Sequence, residues 1–259
     1  MNLNTRFSSN YDASSIKDRI LGLQSAKPEG SVVICAYNEE KYLLSCLDSI
    51  SRLETELPLE IIAINNASQD RTVEILESIG VHVFDEPRKG ISFARRKSVE
   101  VARGKIIFQT DADTQVPKDW IDLHLSHYHR SNDVVGVHGE AHFDRVHKLF
   151  YLQKIGVITI IQLLKFLGRY PSERVVGANM SFIKEVALSV GNYTLGQNYL
   201  EDVGLFDKMS SKGIIVNDRG ISVITSGRRY SSIDRILKTI LDRKKSSGSN
   251  GFQSIVDYR

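Results

Sequence analysis

The sequence predicts an α/β fold in which helices pack on a mixed, mostly parallel sheet. From residue 31 to residue 129, short runs rich in Val and Ile alternate with segments whose apolar residues recur at helical spacing. The chain has 259 residues, of which 41% are hydrophobic, and this is enough to bury one large core. We therefore expect one α/β domain with short appendages, and we do not expect a disordered chain.

The first half of the chain alternates between strands and helices. The predicted strands are Ser31 to Ala36, Leu59 to Asn65, Val81 to Phe84 and Lys105 to Thr110. The predicted helices are Glu39 to Arg52, Asp70 to Ser78, Ser92 to Ala102 and Pro117 to His129, the last with proline in its first turn. Because ligands of open α/β sheets bind beyond the carboxyl ends of the strands, the loops after these strands should converge on one crevice.

The pattern changes after about residue 130. The predicted strands are Val134 to Phe143, Arg174 to Ile183, Gly213 to Asn217 and Ile221 to Thr225. The predicted helices are Leu149 to Leu167, Tyr199 to Ser211 and Ser232 to Lys244, followed by a flexible tail rich in Ser and Gly. We divide the chain into an N-terminal extension at 1–30, a main domain at 31–230, and a basic C-terminal helix with a tail at 231–259.

Charge and cysteine content restrict the class of protein. A net charge of +3 is too small to predict binding to nucleic acid. Cys35 and Cys46 lack the spacing of a metal site, and we interpret both as buried thiols in a reducing compartment. Residues 1–30 are polar and lack the apolar stretch of a signal peptide, so we expect a cytoplasmic protein.

The segment from Leu149 to Leu167 has about the length of a membrane span. Its polar residues Gln153, Lys154, Gln162 and Lys165 argue against a transmembrane helix. We interpret it as a buried helix, with an interfacial helix at the inner face of a membrane as the alternative. Basic residues late in the chain, including Arg228 and Arg229, could support weak peripheral membrane contact.

Two aspartates, Asp111 and Asp113, follow the fourth predicted strand. Side chains two residues apart on a strand point the same way, so both carboxylates can face one small volume. Two close carboxylates repel each other unless a cation lies beside them. Magnesium and manganese prefer oxygen ligands, and magnesium often lies between protein carboxylates and nucleotide phosphates. The pair therefore indicates a metal and diphosphate site, with a solvated turn as the alternative.

Four segments, in order, resemble glycosyltransferase family 2, the inverting enzymes of the GT-A fold. They are Ser31 to Glu40, Ile61 to Asp70, Asp111 to Asp113, and Glu201 with Asp202. The resemblance spans about residues 31–230. It implies a single GT-A-type domain with a nucleotide-binding N-terminal half and an acceptor-side C-terminal half. It also implies transfer of a sugar from a nucleotide diphosphate to an acceptor hydroxyl.

The resemblance implies roles for the acidic residues. Asp113 would bind Mn²⁺ or Mg²⁺, which neutralises the leaving diphosphate, and Asp111 would bind the metal or the ribose. The acceptor hydroxyl must lose a proton as it attacks, and the resemblance assigns Asp202 as this base, with Glu201 contacting the acceptor or the donor sugar. Alternatively, both acids complement a helix dipole. Every histidine precedes Lys148, so a third metal ligand is not assigned.

The resemblance also implies a nucleotide pocket after the first two strands and beside a glycine-led basic helix. Many relatives carry, at the position of Asn65, an aspartate that would accept a hydrogen bond from a base N–H. The Asn65 amide donates as well as accepts, which makes it less selective, and uridine is still the expected base. Arg95 could pair with phosphate or lie on a solvated face, and Gly90 would allow close backbone approach. Asp70 could instead simply cap the next helix. The predicted nucleotide-sugar-binding residues are Ala36, Tyr37, Asn38, Glu39, Asn65, Asn66, Ser68, Asp70, Gly90, Arg95, Asp111 and Ala112.

His124, His127 and His129 do not have the spacing of a zinc-binding helix. We interpret them as surface histidines on the helix that Pro117 leads. The small residues from Gly177 to Ser181 resemble the family loop before the acceptor region, where they would leave space for a sugar.

The favoured function is metal-dependent, inverting transfer from a UDP-sugar to a glycan or lipid-linked saccharide, as in cell-envelope polysaccharide synthesis. The alternative is a non-catalytic module that binds nucleotide-sugar or glycan on the same fold, because fold alone does not establish activity. A sugar nucleotidyltransferase would need a glycine-rich phosphate loop after the first strand, and the segment Cys35 to Glu39 lacks one.

Overall fold

The computed structural model describes residues 11–144, 175–197 and 201–228. The described helices and strands alternate through the first half of the chain, as predicted. In chain order they are α1 (Ala13–Leu23), β1 (Gly30–Ala36), α2 (Leu43–Ser51), β2 (Leu59–Asn65), α3 (Thr72–Ile79), β3 (His82–Asp85), α4 (Ile91–Val101), β4 (Ile106–Asp111), β5 (Thr114–Gln115), α5 (Trp120–Arg130), β6 (Val134–Asp144), β7 (Met180–Ile183), α6 (Lys184–Ser189), α7 (Glu201–Met209) and β8 (Ile214–Ser226).

The described strands form one mixed sheet in the order β3-β2-β1-β4-β7-β6-β8-β5. β1 to β4 are mutually parallel, β7 runs against both β4 and β6, and β8 runs parallel to β6. The carboxyl ends of β1, β2, β3, β4, β6 and β8 therefore lie along one edge, which we call the site edge. The chain enters β7 at the same edge. The predicted mixed, mostly parallel sheet with flanking helices is confirmed.

The sheet is covered on both faces, so β1 and β2 are buried along their whole length and are mostly apolar. Alternate residues of β1 point to opposite sides. Val32 and Ile34 pack in one cluster with residues of α1, α2 and α3. Val33 and Cys35 pack in a second cluster with residues of α4 and α7. Both cysteines are buried free thiols, as predicted.

Several predicted boundaries were wrong. α2 begins at Leu43, not at Glu39, and α5 begins at Trp120, so Pro117 precedes the helix. The strand predicted from Arg174 begins at Met180, and 175–179 form a loop. The two short strands predicted after 212 are one strand, β8, whose pairing with β6 is interrupted by register shifts. The helices predicted at 149–167 and 232–244 lie outside the described residues.

Helix α1 was not predicted. Ala13, Ile16 and Ile20 lie one helical turn apart on its buried face and join the first core cluster. Gln24, just after this helix, forms a parallel bridge with Leu59 of β2. The packed body thus includes residues before the expected domain start at 31. Within 11–144, 175–197 and 201–228, no helix combines the length and the apolar content that a membrane crossing requires.

Candidate active site

A cavity of about 320 Å³ opens at the site edge beyond β4, β6 and β8. Residues from distant parts of the chain line it because each belongs to an element that ends or begins at this edge. The lining residues are Glu39, Arg95, Asp111, Ala112, Asp113, Ala141, Phe143, Val176, Gly177, Ala178, Asp202, Thr225, Ser226 and Arg228. The cavity therefore contains both aspartates after β4 and the acid expected to be the base, although these lie about ninety residues apart in sequence.

Arg95 lies at the centre of the acidic residues. Helix α4 begins after Gly90, whose φ of 132° favours glycine, and it carries Arg95 inward so that only 4% of the residue is exposed. Its Nη1 lies 2.7 Å from Glu201 Oε1, and its Nη2 lies 3.3 Å from Asp111 Oδ1. The guanidinium also contacts the Asp202 carboxylate. Burial opposes the charge, but the three carboxylates hold the pKa of Arg95 well above its ordinary value.

Asp202 is held at the cavity wall by side chains from two further elements. Gln109 of β4 donates from Nε2 to Asp202 Oδ1 (3.3 Å) and to the Gly177 carbonyl (2.9 Å). The buried Tyr193 donates its hydroxyl to Gln109 Oε1 at 2.8 Å and lies 3.4 Å from Asp202 Oδ1. A side chain at Gly177 would overlap Asp202 Oδ2, so glycine is required there. Asp202 is therefore fixed at the start of α7, facing the cavity.

Glu201 is buried beside Asp202, with 8% of the residue exposed. It does not line the cavity. Burial raises the pKa of Glu201, the Arg95 guanidinium lowers it, and the negative charge of Asp202 raises it. The resulting pKa is about 7. Both acids also lie in the first turn of a helix, where the dipole favours negative charge, so the alternative role considered from sequence is compatible with the site.

Asp113 pairs with an arginine that was not predicted in the site. Arg228, just after β8, places Nη1 3.0 Å from Asp113 Oδ2 and donates to both carboxylate oxygens of Glu39. Its guanidinium also lies over the Tyr42 ring, 4.7 Å from the centroid. Only 17% of the Arg228 side chain is exposed, so most of this arginine, which was considered from sequence for weak membrane contact, is taken up by the site.

The loops after β1 and β2 are joined by hydrogen bonds at the site edge. Asn38, at a φ of 56°, accepts at Oδ1 from the Gln69 amide (2.8 Å) and donates its backbone N–H to Ser68 Oγ (3.1 Å). Asp70 accepts from the backbone N–H groups of Glu40 and Thr72. The capping role considered for Asp70 is observed in part, because Asp70 accepts from the first residue of α3 but the residue at the N-cap is Arg71.

Asn65 and Asn66 extend this network to the end of β3. Asn65 donates to Asp85 Oδ1 at 2.7 Å and accepts from the Ser68 amide at 3.0 Å. Asn66 donates to two backbone carbonyls and accepts from the Gly90 amide. Of the predicted nucleotide-binding residues, Glu39, Arg95, Asp111 and Ala112 line the cavity, and Ala36, Tyr37, Asn38, Asn65, Asn66, Ser68, Asp70 and Gly90 lie outside its lining.

The prediction that His124 lies on the surface was wrong. His124 is fully buried, and its Nε2 lies 3.1 Å from Asn179 Oδ1, which also accepts from Trp120 Nε1 at 2.8 Å. Burial lowers the pKa of His124 to about 4. Asn179 donates to the carbonyls of β6 and β8. This network supports the loop 176–178 from behind. No sequence signal other than the helical position of His124 could have indicated it.

Within the described ranges, no cluster of three or more His, Cys, Asp or Glu side chains could hold a metal ion. The acidic lining still suits a cation. Glu39, Asp111, Asp113 and Asp202 face Arg95 and Arg228, so four carboxylates face two guanidiniums. When all are ionised, two negative charges are in excess. Asp111 and Asp113 offer the hard oxygen ligands that Mg²⁺ and Mn²⁺ accept, with phosphate oxygens completing such a shell.

Comparison with known proteins decides the family. The model of glycosyl transferase family 2 matches residues 31–189, which is more than half of the chain. The chain belongs to glycosyl transferase family 2. The predicted family is thereby confirmed.

Among curated proteins, this family 2 chain is similar to a glucosyl-dolichyl phosphate glucuronosyltransferase of Haloferax volcanii. The two are 28% identical over 175 residues, which cover 63% of this chain and 55% of the relative. The chain therefore spans about half the length of this curated relative. A second relative is YfnE of Bacillus subtilis, an uncharacterized glycosyltransferase. It is 29% identical to this chain over a match that covers 56% of this chain and 38% of YfnE.

Two solved structures share the fold. A mannosyltransferase of Pyrobaculum calidifontis, in complex with GDP-Man and Mn²⁺, has a TM-score of 0.60 at 15% identity and covers 93% of this chain and 76% of its own. Glucosyl-3-phosphoglycerate synthase of Mycobacterium tuberculosis, in complex with Mn²⁺, UDP-Glc and phosphoglyceric acid, has a TM-score of 0.62 at 17% identity, covering 91% and 83%. These likenesses confirm the predicted GT-A architecture.

Proposed function

We propose that this protein transfers a sugar from a nucleotide diphosphate to an acceptor hydroxyl with inversion at the anomeric carbon. The observation that carries the proposal is the placement of Asp111, Asp113 and Asp202 around one cavity, with Asp111 and Asp202 joined through Arg95. The metal-bound diphosphate and the carboxylate base must lie in one cavity, because the attacked anomeric carbon is bonded to the departing phosphate. Family membership and the nucleotide-sugar complexes of the structural neighbours support the same reaction.

Asp111 and Asp113 would hold a divalent ion, Mn²⁺ or Mg²⁺. The ion would neutralise the charge that grows on the departing nucleotide diphosphate. The two excess negative charges of the cavity support this assignment, since a diphosphate adds more negative charge to the same volume. This chain would provide the carboxylate oxygens of Asp111 and Asp113 as ligands, and the donor phosphates would provide further oxygen ligands.

Asp202 is the proposed general base. It faces the cavity and is oriented by Gln109 and Arg95, whereas Glu201 beside it does not line the cavity. The acceptor hydroxyl would lie against Asp202 and lose its proton as its oxygen attacks the anomeric carbon. The attack comes from the face opposite the leaving diphosphate, so an α-linked donor would give a β-linked product.

The donor and acceptor classes are also proposed. We propose a UDP-sugar as donor, following the family resemblance of the loops after β1 and β2. A glycan or a lipid-linked saccharide is the proposed acceptor, and the Haloferax relative, whose name describes glucosyl-dolichyl phosphate, supports the second class. A lipid-linked acceptor is compatible with a cytoplasmic protein that acts at the inner face of a membrane, as expected from sequence.

The alternative is a module that binds nucleotide-sugar without turning it over. The two functions are separated by measuring release of the nucleotide diphosphate from UDP-sugars with Mn²⁺, Mg²⁺ or chelator, together with thermal shifts. Wild type should show metal-dependent binding and turnover, and Asp113→Ala should lose both. Asp133→Ala, an exposed site before β6 at the opposite edge, should match wild type. Binding without any turnover would support the module, and a failure to bind any nucleotide would overturn the proposal.

A further inference from the structure

Asn65 and Asp85 form a polar pair at the site edge that lies outside the cavity lining. The two residues are register partners at the carboxyl ends of β2 and β3. Asn65 Nδ2 donates to Asp85 Oδ1 at 2.7 Å, while the Asn65 carbonyl accepts from the Ser68 amide. Asn65 is buried and Asp85 is exposed, so the pair presents its carboxylate outward.

The sheet order determines which way a bound nucleotide must extend, given the proposed function. In the proposed function, the diphosphate would lie at the end of β4, on the divalent ion that Asp111 and Asp113 would hold. On one side of β4 the cavity continues toward Gly177 and Asp202, and the sugar and acceptor occupy that side. The nucleoside must therefore extend the other way, over the ends of β1, β2 and β3. With strands about 4.8 Å apart, the ends of β2 and β3 lie roughly 10 to 14 Å from β4, within reach of a nucleobase.

Three other polar side chains after β2, those of Asn66, Ser68 and Asp70, are already used within the loops. Asn66 bonds three backbone groups around β3 and α4. Asp70 accepts from backbone groups on both flanking segments, and Ser68 Oγ accepts from the Asn38 amide. Asn65 uses both ends of its amide. Among the described residues, only Asn65 donates to the Asp85 carboxylate, so Asp85 Oδ2 has capacity for a further donor.

We propose that Asp85 reads the nucleobase of the donor, with Asn65 as its positioning residue; this inference rests on the proposed function. A carboxylate accepts and cannot donate, so it selects a base that presents a ring N–H. Uracil does so at N3, whereas cytosine has an unprotonated nitrogen at that position, which would repel Asp85. Guanine presents an N–H at N1 and shares this chemistry. The Asn65 amide fixes one carboxylate oxygen and directs the other toward the base.

The proposal is tested by measuring the dissociation constants of UDP, CDP, GDP and ADP with Mn²⁺ for wild type and Asp85→Asn. Asparagine keeps the shape and the bond from Asn65 but turns an N–H₂ toward the base. Wild type should prefer UDP to CDP at least tenfold, since a hydrogen bond to a charged group is about this strong or stronger. In Asp85→Asn this ratio should fall at least tenfold. Tighter binding of GDP than UDP would identify guanine as the source of the N–H.

Two controls keep the test decisive. Asp133→Asn makes the same charge change at the opposite edge and should leave the ratio unchanged. The diphosphate of N3-methyluridine cannot donate, so wild type should bind it at least tenfold more weakly than UDP, a result that does not depend on the variant folding. An unchanged UDP to CDP ratio in Asp85→Asn, or equal binding of the methylated and unmethylated nucleotides, would overturn the role of Asp85 and leave glycosyl transfer intact. No nucleotide binding by wild type would instead overturn the proposed function.

Discussion

Arg228 and Asp113 form an ion pair in the lining of the cavity, with Nη1 3.0 Å from Oδ2. The same guanidinium binds the buried carboxylate of Glu39. The segments that follow β1, β4 and β8 are thereby joined through the guanidinium of Arg228. Asp113, the proposed metal ligand, shares its carboxylate with a protein cation, so a divalent ion and Arg228 would compete for it or share it.

Arg228→Met should destabilise the protein and strengthen metal binding. Glu39 is 2% exposed and would lose a buried partner, at a cost of about 3 kcal/mol. For a domain of this size, such a loss corresponds to a fall in melting temperature of roughly 8 °C. Asp113 would lose its competing cation, so Mn²⁺ should bind at lower concentration. Calorimetric titration of Mn²⁺ and thermal unfolding measure the two effects.

Arg219→Met is the matched control for that prediction. Arg219 is 84% exposed at its side chain, and its Nε lies 3.8 Å from Glu140 Oε1, so this surface pair should contribute little. Its melting temperature and Mn²⁺ affinity should equal those of wild type. Equal stability of Arg228→Met and Arg219→Met would show that the ion pairs of Arg228 with Glu39 and Asp113 do not stabilise the fold.

Gly177→Ala should lower turnover by about a hundredfold. The added Cβ would overlap the Asp202 carboxylate and lie about 2.5 Å from Arg95 Nη1, so the loop, the base or the arginine must move. Displacements of this kind at a reacting centre reduce rates by about a hundredfold. Gly22→Ala, where a Cβ meets no atom within 4 Å, is the control and should stabilise helix α1 by about 0.5 kcal/mol. Turnover by Gly177→Ala at the wild-type rate would contradict the cavity geometry.

Much of the fold follows from local sequence pattern. The apolar runs of β1 and β2 are long and β-branched, and their bounds were predicted to within one residue. Helix α1 was missed because its apolar face is narrow, with a spacing visible at Ala13, Ile16 and Ile20 but surrounded by polar residues. The continuity of β8 was missed because Asp218 and Gly220 read as a turn, whereas the structure accommodates them by register shifts against β6.

The site was predictable only where a motif carried it. Asp111 to Asp113 lies at a strand end, so its position followed from the topology of parallel sheets. The pairs Arg228 with Glu39 and Arg95 with Glu201 join segments more than a hundred residues apart. No local pattern encodes such a pair, since each depends on how β8 and α7 return to the site edge. Burial of His124 likewise depends on Asn179, which arrives from the loop before β7.

His124 should make stability depend on pH between about 6.5 and 4. Its ordinary pKa of 6.5 falls to about 4 in the fold, so the unfolded chain binds the proton more readily in this window. Stability is therefore lost as the pH falls from 6.5 toward 4, by an amount on the order of 3 kcal/mol. In urea unfolding, wild type should lose this stability relative to His124→Gln, whereas His129→Gln, at an exposed position, should follow wild type. The comparison removes the contributions of the other titratable groups, which both proteins retain. Parallel pH profiles for wild type and His124→Gln would contradict the assignment.

Asp202→Asn should lower turnover by about 10² to 10⁴ while UDP binding remains near its wild-type value. Asparagine keeps the shape of the side chain at the cavity wall but cannot accept the acceptor proton. The guanidinium of Arg95 retains Asp111 and Glu201 as partners, so the site should keep its charge balance well enough to bind the nucleotide. Single-turnover rates of diphosphate release, with dissociation constants from calorimetry, separate chemistry from binding.

Glu201→Gln distinguishes the two neighbouring acids in the same assay. Glu201 has a pKa of about 7, so near neutral pH it is partly protonated, and it lies behind the cavity wall. Its substitution should reduce turnover less than Asp202→Asn, because Glu201 does not line the cavity. Two results together would assign the role of base to Glu201. Glu201→Gln would lose more turnover than Asp202→Asn, and the wild-type rate would rise through pH 7 whereas the rate of Glu201→Gln would not. Wild-type turnover by Asp202→Asn with normal UDP binding would show by itself that Asp202 is not the base.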